Sequence, residues 1–315
     1  MITNSFKEIG GYFGLELENR FNNIPIDAIA LNSARNALRY VVQAYGIKEI
    51  YIPYYTCPVV WEAIEKENCS VKYYHIDNNF MPIEEFPQES FILYTNYFGI
   101  CAKNVKELAE KYKNLIVDNA QAFYMPKYGI ASFNSIRKFF GVPDGALLFT
   151  DKTLDENLEK DISFDRCSHL LKRLDVNAKF GYKDFQINDD KFNNEPIKYM
   201  SELTKTIFNS FNTKIVKEKR LQNFKYLHDK LSEKNDLKIV LNENDIPMIY
   251  PYMTNDKNLK TKLIKNKIYI PTYWSMNNKK YSNLIEHLIP LPIDQRNNEN
   301  DMEYIVEKIK QLEVL

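Results

Sequence analysis

The chain has 315 residues, of which 42 are basic and 42 acidic, so its net charge is zero. This length is enough to bury a full core, and we expect one large and one smaller domain. The evenly mixed charge argues against a nucleic-acid partner, which would need a basic stripe, and no apolar stretch approaches the ~20 residues of a membrane span.

The N-terminus and the cysteines indicate a cytoplasmic protein without a metal site. Residues 1–7 lack the apolar core of a signal peptide. No two of the four cysteines have the CxxC spacing of a zinc or redox site, so we expect reduced core residues at Cys57, Cys69, Cys101 and Cys167. The four histidines also lack the spacing of metal ligands.

Strand and helix patterns alternate in the first half of the chain. Helical periodicity covers residues 33–45, 58–66 and 105–112, and apolar runs typical of strands cover residues 50–52, 71–76, 91–95, 115–117 and 146–149. Strands that alternate with helices predict crossover connections and a mostly parallel sheet, which is an α/β fold. Ligands in such sheets bind beyond the carboxyl ends of the strands.

The pattern changes after residue 153. Residues 175–196 are polar and rich in Asn and Asp, which predicts a long loop. Apolar residues at helical spacing predict one long amphipathic helix over residues 200–231. We therefore expect a large domain over residues 1–199, this connecting helix, and a small α+β domain over residues 232–315.

The segment from residue 115 to residue 150 contains the most informative spacing in the sequence. Its first apolar run ends in Asp118, and Gln121 follows three residues later. Lys138 comes twenty residues after Asp118, on a turn before the next strand. A pyridine cofactor needs such groups at neighbouring strand ends, because a carboxylate pairs with the ring nitrogen and an amine condenses with the aldehyde.

Seven stretches of the chain together resemble a known family. They are residues 30–38, 49–57, 96–99, 118–122, 135–145, 199–201 and 291–292. In order and spacing they are similar to the DegT/DnrJ-type aminotransferases of sugar metabolism, within the fold-type I pyridoxal phosphate (PLP) enzymes. The resemblance covers almost the whole chain. It implies a large domain with a mostly parallel sheet between helices and a small α+β C-terminal domain.

The resemblance implies a role for each member of the central constellation. Lys138 would be the catalytic lysine that forms an imine with PLP, and Arg137 beside it would favour the neutral amine. Asp118 would bond the protonated ring nitrogen, and Gln121 would reach the phenolic oxygen. From the residues alone, Asp118 is equally a helix cap, Gln121 an ordinary polar residue, and Lys138 part of a solvated turn.

The same resemblance implies a phosphate site at the start of the first helix. Ser33, Ala34 and Arg35 open this helix, and its free amides and dipole suit a dianionic phosphate. Ser135 would add a further hydrogen bond. A plain N-cap explains Ser33 as well, and Arg35 would either bind the phosphate with both nitrogens or face solvent.

Further contacts with the cofactor and substrate are implied elsewhere. Cys57 stands where the family has an aromatic ring stacked on the pyridine, so other rings expected nearby become candidates: Tyr55, Trp61 and Phe98. Asn96 would approach the cofactor or would only form a turn. Tyr273 and Trp274 resemble a substrate-side segment, although we favour an aromatic pair packed in the core.

The leading functional hypothesis is a PLP-dependent aminotransferase. It would move an amino group from a small-molecule donor to a keto-sugar nucleotide or a smaller phosphorylated keto compound. The resemblance places it in cell-surface polysaccharide biosynthesis, as a homodimer. One alternative is another PLP reaction such as a decarboxylation; the dehydratases that resemble this family carry histidine in place of the lysine. Another is a catalytically degenerate protein that binds a ligand or partner.

Overall fold

The central feature of the fold is a seven-stranded sheet. The computed structural model describes residues 9–274 and 281–313. The strands in chain order are β1 (Ile29–Leu31), β2 (Glu49–Pro53), β3 (Ser70–Tyr74), β4 (Phe91–Thr95), β5 (Leu115–Asn119), β6 (Ala131–Asn134) and β7 (Ala146–Thr150). Their order across the sheet is β1-β7-β6-β5-β4-β2-β3.

Most neighbouring strands of this sheet run parallel. The run β3-β2-β4-β5-β6 is parallel throughout, while β7 is antiparallel to both β6 and β1. The prediction of a mostly parallel sheet is therefore confirmed. Asp118 at the end of β5 lies beside Thr95 of β4 and Phe133 of β6. The carboxyl ends of these three strands thus meet at one end of the sheet, where a ligand is expected.

Helices pack on both faces of the sheet and in the C-terminal half. They are α1 (Ala34–Tyr45), α2 (Pro58–Glu65), α3 (Ala102–Lys111), α4 (Ser168–Asp175), α5 (Ala178–Lys191), α6 (Glu202–Asn209), α7 (Thr213–Leu231), α8 (Leu259–Lys265), α9 (Ser282–His287) and α10 (Glu299–Leu312). Buried apolar residues form one cluster on each face of the sheet and a third in the C-terminal half. The predicted α/β fold class is confirmed.

Helix α1 begins and ends where the sequence predicts. The hydroxyl of Ser33 accepts a hydrogen bond from the amide of Asn36 at 3.2 Å, which caps the first turn. Gly46 ends the helix with a left-handed φ of 62°, a conformation that favours glycine. Because β1 runs parallel to β6, the first turn of α1 lies at the same end of the sheet as Asp118.

The predicted loop over residues 175–196 is wrong, because most of this stretch is helix α5. It packs against α4 as a helical hairpin. The side chain of Asn177 caps α5 by accepting a hydrogen bond from the amide of Phe180 at 3.0 Å. Gly181 allows close packing, since a Cβ there would lie 2.8 Å from the carbonyl oxygen of His169. The composition misled the prediction because the hairpin buries few of its residues.

Residues 200–231 form two helices instead of the single helix predicted. The break between α6 and α7 lies at Asn212, which has non-helical geometry. Its side chain accepts hydrogen bonds from the amides of Lys214 and Ile215, at 3.1 and 3.3 Å. An Asn cap of this kind competes with helix continuation although the apolar spacing persists on both sides.

The C-terminal half contains a two-stranded antiparallel sheet, β8 (Ile249–Met253) and β9 (Leu288–Pro292). Helices α7, α8 and α10 pack around it, in agreement with the predicted α+β arrangement. The domain boundaries at residues 199 and 231 stay a prediction. No helix in residues 9–274 and 281–313 combines the length and the apolar character needed to cross a membrane.

Candidate functional site

Asp118 is the last but one residue of β5 and is only 6% exposed. One of its carboxylate oxygens accepts a hydrogen bond from the amide of Ala120 at 2.8 Å. Its backbone carbonyl accepts a second bond from the amide of Asn96, at 3.0 Å. Asp118 is therefore held at the end of the sheet by Asn96, which follows β4, and by the turn after β5.

Lys138 lies at the end of a 3₁₀ turn, Ile136–Lys138, between the antiparallel strands β6 and β7. The amide of Ile136 donates to the carbonyl of Gly145 at 3.1 Å, which closes the loop at its base. The side chain of Lys138 is exposed. The lysine thus sits on a closed loop between two paired strands and remains accessible.

The charges of Asp118 and Lys138 act on each other. Burial raises the pKa of the Asp118 carboxyl, and the positive charge of Lys138 and the hydrogen bond from Ala120 offset part of that rise. The structure therefore brings together the carboxylate and the amine that the spacing singled out. Their roles toward a cofactor stay predictions.

Gln121 is 2% exposed, and its two amide atoms differ in their contacts. The side-chain oxygen accepts a hydrogen bond from the amide of Phe98 at 2.8 Å. The side-chain nitrogen is buried and has no hydrogen-bond partner in the described residues. An unpaired buried donor costs ~1–3 kcal/mol, so this nitrogen is a candidate ligand contact.

Cys57 lies beside this pair, at the start of α2. Burial raises the pKa of its thiol, and the charges of Lys138, Asp118 and Arg35 all act on it. Tyr273 is also close, since the thiol and the Tyr273 phenol interact electrostatically. Cys57 therefore lies near Asp118 and Lys138, although its side chain cannot supply an aromatic ring.

The three candidate stacking rings differ in their burial. The rings of Tyr55 and Phe98 are fully buried, and the Tyr55 hydroxyl donates to the carbonyl of Tyr273 at 2.5 Å. Trp61 is partly buried and packs edge-on against Tyr73, with ring centroids 6.5 Å apart.

Tyr273 lies closer to Cys57 than the predicted packed aromatic pair implies. Its ring is half-buried and lies 6.0 Å from that of Phe98. Trp274 does pack in the core as expected, 5.1 Å from the ring of Tyr55. Burial raises the pKa of the Tyr273 phenol, which also interacts with Cys57 and Arg220. The resemblance of this segment to a substrate-side segment was the available signal.

The predicted phosphate residues gather near the first turn of α1. Ser33 uses its hydroxyl as the helix cap, and the guanidinium of Arg35 donates to the side chain of Asn193. Ser135 is buried and its hydroxyl makes no hydrogen bond in the part of the chain that the structure describes. Ala34 lies in the first helical turn. The capping interpretation of Ser33 is supported, and the amides and Ser135 remain available to an anion.

Two neighbours of the site have other partners. Arg137 pairs with Asp189 of α5 at 3.0 Å and stacks over Phe192 at 4.5 Å, so its charge is already offset. The side chain of Asn96 donates to that of Asn119 at 3.1 Å and accepts from the amide of Cys101 at 3.2 Å. These bonds support the turn-forming interpretation of Asn96.

The loop of Lys138 is tied to the start of α6. The carboxylate of Asp144 accepts hydrogen bonds from the amide and hydroxyl of Ser201, at 2.9 and 2.6 Å, and from the hydroxyl of Thr204. Gly145 follows with a φ of 112°, and a Cβ there would lie 3.0 Å from the Thr204 side chain. These contacts tie the end of the loop to α6, which is distant in sequence, and so restrict the movement of the loop that carries Lys138.

The loop after β4 is in contact with the C-terminal half. The carbonyl of Phe98 accepts a hydrogen bond from the amide of Met248 at 2.8 Å. Gly99 has a φ of 72°, and a Cβ there would lie 2.5 Å from the carbonyl oxygen of Ile246 and 2.7 Å from that of Gln121. Only glycine fits between these two backbones, so the loop after β4 and the C-terminal half approach each other closely at this point.

The overall fold matches solved structures although the sequence does not match closely. No protein-family model and no curated protein matches the sequence. An aminotransferase of Brucella abortus, described as DegT DnrJ EryC1 StrS, superposes with a TM-score of 0.61 at 14% identity, covering 90% of this chain and 85% of its own. The chain has the fold of these aminotransferases.

Two further structures share this fold. NtdA of Bacillus subtilis, solved with bound cofactor PMP, superposes with a TM-score of 0.64 at 15% identity, covering 90% of this chain and 72% of its own. DesI, solved in the presence of its TDP-sugar product, gives a TM-score of 0.62 at 14% identity, covering 90% of this chain and 80% of its own.

Among the described residues, no group of His, Cys, Asp and Glu is arranged to hold a metal ion.

Proposed function

We propose that the protein is a PLP-dependent aminotransferase. The observation that carries this proposal is the buried carboxylate of Asp118 within electrostatic reach of the exposed Lys138. Three residues after Asp118, Gln121 has a buried amide nitrogen without a partner among the described residues. An aminotransferase site needs an amine, a carboxylate and a donor in such proximity. The shared fold with solved aminotransferases supports the same conclusion.

The residues present fit PLP in three respects. The unpartnered nitrogen of Gln121 would donate to the phenolic oxygen, and Asp118 would accept from the protonated ring nitrogen. The free amides at the start of α1, with Arg35 and Ser135, would bind the phosphate. When bound, PLP supplies an aldehyde for the amine and a ring that withdraws electrons from bonds at the amino-bearing carbon.

The protein's own groups would then divide the work. Asp118 would keep the ring nitrogen protonated, because its carboxylate is buried at the end of β5 and oriented by the bond from Ala120. Lys138 would be the attachment point and, through its Nζ, would take up and return the proton of the amino-bearing carbon. Tyr273 and Cys57 line the same space and would limit the entry of water.

For the acceptor we propose a keto-sugar nucleotide or a smaller phosphorylated keto compound, and for the donor a small amino compound. The support is the sugar product recorded for DesI, a protein of the same fold. With that substrate class we also propose a role in cell-surface polysaccharide biosynthesis and a cytoplasmic location.

We also propose a homodimer, held in part by the α4–α5 hairpin. The hairpin exposes large apolar side chains, which single soluble chains seldom leave uncovered in such number. They are Leu171, Leu174, Val176, Phe180, Tyr182, Phe185 and Ile187. A symmetric pair would cover part of this apolar surface with its own copy.

Borohydride reduction followed by peptide mapping tests the cofactor assignment. We expect a pyridoxyl label on Lys138 of the purified protein incubated with PLP. A label on another lysine would contradict the assignment, and no bound PLP at all would favour the ligand-binding alternative. Half-reactions with amino donors, in which the bound cofactor is converted without loss of carbon dioxide, separate amino transfer from decarboxylation.

A further inference from the structure

We propose that Arg220 is a positioning residue that holds the loop of Lys138 in place through the neighbouring Phe139. This inference rests on the proposed function, because the loop has a role only if Lys138 carries the cofactor. Arg220 lies on α7, far from Lys138 in sequence, and makes no contact with substrate in the arrangement proposed above.

The contacts of Arg220 are unusual for a buried arginine. Its side chain is only 2% exposed, and its guanidinium carbon lies 4.4 Å from the centroid of the Phe139 ring. One guanidinium nitrogen donates to the carbonyl of Met248 at 2.9 Å. Its Nε has no hydrogen-bond partner, and Arg220 forms no ion pair, within the described residues.

Burying the Arg220 guanidinium in this way lowers the free energy of unfolding of the protein. Burial lowers the pKa of Arg220 to about 10, and Asp294, the main group that opposes this shift, is itself bonded to Arg296 at 2.7 Å. A buried charge without a carboxylate partner costs several kcal/mol, and an apolar side chain of similar size is often more stable. Stability alone therefore does not explain the arginine, whereas its contact with the residue after Lys138 does.

A second residue of the C-terminal half holds the same point. The side-chain nitrogen of Gln295 donates to the carbonyl of Phe139 at 2.7 Å. The ring of Phe139 is thus held by Arg220 and its carbonyl by Gln295. Because Phe139 directly follows Lys138, its position sets where the lysine backbone lies.

The hydrogen bonds continue from Arg220 to the other side of the site. Met248, which accepts from Arg220, donates through its amide to the carbonyl of Phe98 at 2.8 Å. The amide of Phe98 in turn donates to Gln121. One chain of contacts therefore joins the lysine loop to Gln121 by way of the C-terminal half, and Arg220 is its link to the loop.

The test compares Arg220→Met with Arg220→Lys, each saturated with PLP. Methionine keeps the volume but loses the charge and the donor, whereas lysine keeps a cation over Phe139 and a donor for Met248. We measure total bound PLP after denaturation and, separately, the rate at which borohydride traps it on Lys138. A core substitution in the C-terminal half, Leu259→Ala, serves as the control for lost stability, because Leu259 is fully buried away from the loop.

For Arg220→Met we expect similar total PLP but about tenfold slower trapping on Lys138, the scale of a small misplacement of reacting groups. Arg220→Lys should restore most of the rate, and Leu259→Ala should leave it unchanged. If Arg220→Met does not fold, Gln295→Leu should show the same defect in weaker form. Equal trapping in wild type and the folded variants, or an equal loss in Leu259→Ala, would overturn the inference. Absence of label in wild type would instead defeat the proposed function.

Discussion

The side-chain oxygen of Gln121 accepts a hydrogen bond from the amide of Phe98 at 2.8 Å, which fixes the direction of the opposite nitrogen. That nitrogen is buried without a partner in the described residues. Since the oxygen is already bonded, the side chain cannot turn over without losing this contact. Gln121 is therefore set to donate to a ligand and not to accept from one.

Gln121→Glu should weaken PLP binding without disturbing the loop. Glutamate keeps an oxygen for Phe98 but replaces the donor by a second carboxylate near Asp118. We expect the dissociation constant of PLP to rise at least tenfold, about 1.4 kcal/mol or more, because a donor becomes a repelling acceptor. Fluorescence titration measures it. Gln121→Ala, which loses both the acceptor for Phe98 and the donor, should also loosen the loop after β4. Equal affinity for PLP in Gln121→Glu and wild type would show that the side-chain nitrogen does not bind the ligand.

Asp118→Asn should slow amino transfer while leaving the fold intact. Asparagine can still accept from Ala120 but carries no charge to hold a proton on the ring nitrogen. A loss of ~3 kcal/mol, about a hundredfold in rate, is the scale expected for a preorganised electrostatic contact. The measurement is the single-turnover rate with glutamate as donor, at equal PLP saturation. Similar rates would mean that Asp118 is only a cap.

The same substitution should stabilise the protein when PLP is absent. Burial raises the folded-state pKa of Asp118 above its unfolded value, so its contribution favours folding in acid and is lost as pH rises through the folded pKa. Without cofactor at neutral pH, Asp118→Asn should gain on the order of 1 kcal/mol in unfolding free energy. The gain should shrink below about pH 4, where the carboxyl is protonated in both states. Urea titrations at several pH values check the trend, and a constant difference would contradict it.

Gly99→Ala should destabilise the protein strongly. A Cβ there would lie 2.5 Å from the carbonyl oxygen of Ile246, in a backbone conformation that alanine rarely adopts. We expect a loss of ~3 kcal/mol or more in unfolding free energy. Gly46→Ala is the matched control, since Gly46 also has a positive φ but has open space around it, and ~1 kcal/mol is expected there. Equal losses would mean that the contact with Ile246 is looser than described.

A charge on the α4–α5 hairpin should dissociate the proposed homodimer. We expect Leu174→Glu with Phe180→Glu to raise the dimer dissociation constant at least about thirtyfold, or ~2 kcal/mol in binding free energy. The reason is that an apolar interface would have to bury carboxylates. Sedimentation across a concentration series measures it. Val240→Glu, at an equally exposed apolar residue of the C-terminal half, is the control. A monomeric wild type with full PLP occupancy would refute the dimer.

The sequence predicted the sheet and the central pair because both depend on local signals. Apolar runs marked the longer strands, and Ser33 and Gly46 marked the ends of α1. The short strands β1 and β6 went unnoticed, because three or four residues carry too little pattern. The break at Asn212 and the helix start at Asn177 escape prediction, because capping by a single side chain outweighs composition over a longer window.

The parts of the site that escaped prediction depend on contacts between distant residues. Asp144 bonds Ser201 and Thr204, 57 and 60 residues away, and nothing in the local sequence marks that pairing. Arg220 looked like one more basic residue on an amphipathic helix until its stacking on Phe139 placed it beside the lysine loop. These contacts join residues that are far apart in sequence, so they cannot be recognised before the fold is known.

The antiparallel pairing of β6 with β7 has a consequence for how the site assembles. The loop of Lys138 joins two adjacent strands, and β6 pairs on its other side with β5, whose last but one residue is Asp118. The amine and the carboxylate therefore need only one contiguous stretch of about a ninth of the chain to meet. Their meeting has low contact order and can precede the slower long-range closure with the C-terminal half.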